Sequence, residues 1–207
     1  MRFVVPVIVL AVTLMSLYTD SKPMRRVVSF SHALLNLAGA GFFYYVVPKA
    51  IHSTMMIIYS IIAGPLISGL LFLFDMLRPT TMYKAHRSPR RRIVGGMCVL
   101  SGLSCIVFYE TIRKLKLNHL LIFGLPSAVA RISIGALLMS TKRSNFQSLN
   151  LVILSIYSLI IGAYSVSTLS YYIDSMMVLA GIAGLVVAFD DMKSTPQMQQ
   201  RVVAKRE

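Results

Sequence analysis

Residues 149–172 read LNLVILSIYSLIIGAYSVSTLSYY, 24 residues without one charged side chain. The stretch is apolar all round, so it does not read as a barrel strand, which alternates over about ten residues. As a helix rising 1.5 Å per residue it would cover about 36 Å, more than the roughly 30 Å of a bilayer's hydrocarbon core. In lipid a helix satisfies every backbone group of such a segment internally. The run is therefore a membrane span, and the rest of the chain is read around it.

Six further apolar runs flank it. Upstream lie 3–18, 27–47, 53–77, 93–112 and 117–139, and downstream lies 175–189, bounded by Asp174 and by Asp190 and Asp191. The composition agrees: 56% of the 207 residues are hydrophobic and 14% charged, against about a quarter charged in soluble domains. The expected fold is all-α, a polytopic transmembrane helix bundle of seven spans. Residues 1–192 form its single domain and 193–207 a short basic tail. The first run is short enough for a signal peptide. Lys22, Arg25 and Arg26 follow it closely and oppose translocation of that end, so it is read as a span.

The chain carries 21 Lys and Arg against 7 acids. Such a balance suggests nucleic acid only when the bases share a surface. Here they lie between apolar runs, so no nucleic-acid partner is expected. They read as topology signals that also face anionic lipid headgroups, most densely in the loop 78–92, which runs from Arg78 to Arg92. Counted by side, fifteen bases fall with that loop and five on the opposite side, with Arg131 inside a span. The positive-inside rule then places the loop and the C-terminus in the cytoplasm and the N-terminus on the exoplasmic or lumenal side. Cys98 and Cys105 are seven apart in one run. On a helix that is about 10.5 Å of rise, beyond the roughly 7 Å a disulfide tolerates.

Short strings recur. Gly69-Leu70 with Phe74-Asp75 is matched by Gly184-Leu185 with Phe189-Asp190, and Leu35-Asn36-Leu37 by Leu149-Asn150-Leu151. Paired bases precede both copies, Arg25-Arg26 and Lys142-Arg143. This pattern suggests two three-helix units joined by the fourth span. The plainer alternative is unrelated helices of similar composition. A 3+1+3 plan resembles, as architecture only, the SWEET sugar transporters and the related PQ-loop transporters. The one Pro-Gln pair here is Pro196-Gln197, in the tail, and the third and seventh runs lack Asn. No site residue is carried over from those families.

Arg131 is the most informative side chain. It lies deep in the fifth run, about 12 Å from the cytoplasmic end at 1.5 Å per residue. A central arginine costs about 2.5 to 3.5 kcal/mol on insertion scales, so it should face a protein interior or a wet cavity. It could bind a polar or anionic solute, or partner a buried carboxylate. By depth, His32, Asn36, Ser68 and Tyr157 could join it in one polar layer, although hydroxyls and amides in spans are more often packing hydrogen bonds. Asp75 and Asp190, near the cytoplasmic boundary, could gate an opening or pair with loop bases. Pro65 and Pro126 mark expected helix kinks, as transporters use around midplane sites. Small faces at Gly95, Gly96, Ser101, Gly102 and Cys105, and at Ala180 and Gly184, allow close helix contact within the fold or with a partner.

Enzyme signatures such as G-x-S-x-G, H-E-x-x-H, C-x-x-C and the P-loop are missing from the sequence, and the four histidines are dispersed. Neither metal nor cofactor is expected. The leading expectation is a small transporter or channel for a polar or anionic small molecule. The alternative is a non-transporting subunit or scaffold that binds other transmembrane helices or a second copy of itself. A lipid-modifying enzyme is less favoured. A pore-lining Arg131 argues for transport, whereas an Arg131 buried against an acid argues for the alternative.

Overall fold

The computed structural model describes residues 11, 22–50, 55–77, 83–84, 88–111, 126–140, 142–169 and 172–203. The described residues are almost entirely helical. Six helices are described: α1 (Lys22–Ala50), α2 (Met55–Leu77), α3 (Pro89–Thr111), α4 (Pro126–Met139), α5 (Asn145–Leu169) and α6 (Ser175–Val203). Apart from residue 11, the expected first span, 3–18, lies outside the described residues, as does the beginning of the fifth, 117–125. Three helices are long and apolar enough to cross a membrane, over Tyr59–Leu77, Asn145–Ser167 and Ser175–Met192, and Ser127–Met139 is a shorter apolar helix.

Local sequence explains where helices begin. Pro89 opens α3 behind Ser88, whose carbonyl accepts from the Arg91 amide at 3.1 Å. A proline suits this first position because its missing N–H would have had no partner there. Helix α5 opens on a capping box. The Ser144 hydroxyl accepts from the Gln147 amide at 3.2 Å, and the Gln147 side-chain oxygen accepts from the Ser144 amide at 3.3 Å. At its far end α6 overruns the expected stop at Asp190-Asp191 and continues to Val203. Much of the segment read as a tail is therefore helix. A charge pair alone breaks no helix, and these acids find bases beside them.

The helices pair antiparallel. Arg25 meets Asp75 and Leu37 seats on Gly69, which aligns α1 with α2. Gly95 and Gly102 of α3 face Gly135 and Ala128 of α4. Gly181 and Gly184 of α6 face Leu159 and Ser155 of α5. A Cβ on Gly135 would lie 2.5 Å from the Gly95 carbonyl oxygen, so α3 and α4 touch backbone to backbone. Helix α4 packs against all five other helices, and every residue from Ala128 to Met139 is buried.

The outer surface is apolar. Phe30 and Leu34 of α1, Phe74 of α2, Met97 and Leu100 of α3, Ile160 of α5 and Leu179 of α6 are exposed, whereas Ser29, Asn36, Ser68 and Asn150 are buried. Polar groups inside and large apolar groups outside suit a lipid surround. A two-residue ladder outside the helices pairs Tyr83 with Arg143 and Lys84 with Lys142. It ties the 78–92 loop to the start of α5, a contact that helix-span reasoning did not foresee.

Candidate functional site, a polar layer between two charged clusters

At one end of the bundle the chain gathers its acids and bases. Asp75, at the end of α2, accepts from Arg25 at 2.6 Å, Ser29 at 2.8 Å and Gln147 at 2.9 Å, and also from Ser144. Asp191 accepts from Arg91 at 2.6 Å and from Arg143 at 2.7 Å. The Arg143 Nε also donates to the Leu137 carbonyl at 2.8 Å. The starts of α1, α3 and α5 thus meet the ends of α2 and α4 and the Asp191 turn of α6.

These contacts revise two expectations. Asp75 does pair with a base, but with Arg25 within α1 rather than with a loop residue. At the other acidic site Asp191 does the pairing. Asp190 is 61% exposed and 3.6 Å from Arg91. The Phe-Asp string pointed to Asp190, but the helical turn carries the next residue inward. Arg91 is buried among these acids, so it does not face headgroups, while Arg90 and Arg92 are exposed.

About two turns in from this end lies a polar layer. Asn36 donates to the His32 carbonyl at 2.8 Å and to the Ser133 hydroxyl at 3.1 Å. Ser133 Oγ is 3.4 Å from His32 Nδ1, and the His32 ring stacks on Phe72 at 5.1 Å. Across the layer Asn150 donates to the Ser68 carbonyl at 3.3 Å. Leu37 against Gly69 sets residues 36 and 68 at facing levels. His32, Asn36, Ser68, Ser133 and Asn150 are all buried. His32 Nε2, Asn36 Oδ1, Ser68 Oγ and Asn150 Oδ1 have no hydrogen-bond partner among the described residues.

Two expected members of that layer stand elsewhere. Tyr157 donates to the Ile61 carbonyl at 2.8 Å. Ile61 is four residues before Pro65, which lies within α2, so this carbonyl is the one a proline deprives of its helical donor. The Tyr157 ring occupies the space where Gly64 has no side chain. Its role is to repair the proline site. Pro126 is the first residue of described α4, and the kink expected there lies at the edge of the described residues, with 117–125 outside them.

Arg131 also leaves the layer. It sits two positions before Ser133, about 200° around α4, so the two point to opposite faces. Its Nε donates to the Ser127 carbonyl at 3.1 Å. Its Nη2 lies 3.5 Å from Asp174 Oδ1, and the residue is wholly buried. Side chains lean toward a helix N-terminus, which carries this guanidinium away from the charged end toward the turn before α6. Asp174 itself lies in the connection between two apolar helices. Burial pushes its carboxyl up from the ordinary range, against the opposing pull of Arg131 and of a hydrogen bond with Ser165.

Sequence reasoning thus missed Asp174, noted only as a span boundary, and Ser133. It noted Asn150 only as part of a repeat, Arg25 and Arg143 as topology signals and paired bases of that repeat, and Arg91 as a topology signal facing headgroups. The Ser144-x-x-Gln147 pattern was a legible signal for the capping box that also presents both side chains to Asp75. Comparisons with protein-family models, curated proteins and solved structures find no match for this chain.

Proposed function

We propose that the chain is a multi-pass membrane protein of seven spans, with its C-terminus in the cytoplasm, that passes a small polar solute through the layer formed by His32, Asn36, Ser68, Ser133 and Asn150. The observation that carries this reading is the set of four buried polar atoms in that layer without partners among the described residues. Each such group costs roughly 1–3 kcal/mol if nothing meets it, and a membrane interior supplies no water. A passing solute or its water would supply the missing bonds. The charged end, joined by Asp75 and Asp191, is then the closed side of the pathway. Arg131 leaves the solute-binding set because Asp174 faces it.

Arg131 against Asp174 favours the second reading, a non-transporting subunit whose buried charges serve the fold. Of the small residues that could serve that reading, Gly95, Gly102, Gly181 and Gly184 are covered within the chain, and Gly96 is open. Ser68→Cys, with Cys98 and Cys105 replaced by Ala, separates the readings. The change nearly keeps the size of a side chain whose Oγ makes no hydrogen bond among the described residues. On a transport pathway the introduced thiol should react with a small water-soluble methanethiosulfonate in native membranes. Reaction only after denaturation would remove the pathway and leave the subunit reading.

A further inference from the structure

The bonds already made in the polar layer fix what its free atoms can accept. Both amide nitrogens are committed to backbone carbonyls, Asn36 to that of His32 and Asn150 to that of Ser68. Their orientation follows, since an amide oxygen could not face a carbonyl. Asn36 also donates to Ser133 Oγ, so the Ser133 hydrogen is available to His32 Nδ1 at 3.4 Å. In the tautomer where Nδ1 accepts that hydrogen, the imidazole proton resides on Nε2. In that tautomer the unpartnered atoms are two amide oxygens that accept, one ring N–H that donates, and the Ser68 hydroxyl, which does either, while Asn150 Nδ2 keeps a second hydrogen beyond the one given to the Ser68 carbonyl.

From this set we propose that the layer binds a small neutral amide, of which urea is the simplest form. Two N–H₂ groups would donate to Asn36 Oδ1 and Asn150 Oδ1, and the carbonyl between them would accept from His32 Nε2–H. The Ser68 hydroxyl would complete the carbonyl's second lone pair. An anion would meet two amide oxygens and be repelled. A bare cation would meet the ring N–H. Arg25 is paired with Asp75 and Arg131 with Asp174, so neither pair leaves a net charge that calls for an ionic solute. The two asparagines come from equivalent strings of the apparent repeat, Leu35-Asn36-Leu37 and Leu149-Asn150-Leu151, which would place one acceptor on each unit.

This inference rests on the transport reading above, and the test keeps the two apart. The full chain is purified, reconstituted into sealed liposomes, and followed by stopped-flow light scattering with urea, with glycerol and with water alone, and by a halide-quenched dye for chloride. Urea should equilibrate faster than in empty liposomes, with chloride unchanged. Ser68→Ala removes a hydroxyl that makes no hydrogen bond among the described residues, so the fold should survive while urea flux falls. Asn150→Leu should abolish it, and if that variant does not accumulate, Ser68→Ala decides. Glycerol or chloride flux without urea flux would overturn the amide assignment and leave transport standing. Water flux alone would mean that resident water fills the layer, which also overturns it. Movement of none of the four would overturn both readings. Urea flux unchanged in Ser68→Ala would take the pathway out of this layer.

Discussion

At the scale of single residues, Arg131 shows what a sequence does and does not reveal. Its burial was legible, because an arginine deep in a span must face protein or water. Its partner was not. Asp75 and Asp190 were the acids that stood out in the sequence, and the one that meets Arg131 is Asp174, which chain folding brings back across the bundle. The pair predicts a specific stability pattern. Arg131→Gln should destabilise by about 3–5 kcal/mol, since it leaves a buried acid alone, and adding Asp174→Asn should restore most of that loss. The pH dependence follows from the upward shift of Asp174, which loses its main downward influence when Arg131 goes. An acid whose folded pKa exceeds its unfolded value binds its proton more tightly when folded. Folding is then penalised above the folded pKa, and the penalty is relieved as pH falls from there toward the ordinary value near 3.9. The thermal-stability gap between wild type and Arg131→Gln should therefore narrow as pH falls through that window. A gap independent of pH, or one that Asp174→Asn leaves in place, would show that the two side chains do not depend on each other.

At the scale of elements, the apolar runs set helix positions well and helix ends less well. Ends depend on side chains from elsewhere: α5 starts where Ser144 and Gln147 cap each other, and α6 passes Asp191 because Arg91 and Arg143 hold it. Pro65 is the clearest lesson. It was legible as a break in the hydrogen bonding of α2, and Tyr157 was legible as a polar side chain at depth, but nothing in one dimension joins them. In the fold Tyr157 donates to the Ile61 carbonyl at 2.8 Å, which restores the bond that Pro65 cannot make. Tyr157→Phe should therefore cost about 1 kcal/mol, within the range of side-chain hydrogen bonds in membrane bundles. Pro65→Ala supplies an N–H to the same carbonyl. In a double-mutant cycle Tyr157→Phe should cost little once Pro65→Ala is present. Equal costs in both backgrounds would mean that Tyr157 stabilises by packing on Gly64 alone.

At the scale of the whole molecule, sidedness is the property the sequence states most directly. Fifteen bases against five fall on the side of the 78–92 loop, and the fold gathers Arg25, Arg91 and Arg143 at one end of the bundle. What the count could not reveal is that these three are paired with acids, Arg25 with Asp75 and Arg91 and Arg143 with Asp191, with Asp190 3.6 Å from Arg91. Removing three of the fifteen leaves the asymmetry in place, and Arg26, Arg90 and Arg92 are exposed at that same end. Acids in any case count little in the positive-inside rule. The charged end should thus face the cytoplasm, with Arg90 and Arg92 rather than Arg91 turned to anionic headgroups. Ser88 precedes α3 at this end and is only half-buried, so a thiol introduced there reports its side. With Cys98 and Cys105 replaced by Ala, Ser88→Cys should resist an impermeant maleimide in intact cells and react once the membrane is opened. Lys114→Cys, beyond the far end of α3, should react at once. The reverse pattern would invert the orientation while keeping the alternation. Equal reaction at both positions in sealed cells would place both ends of α3 on one side, and the seven-span plan would fall with it.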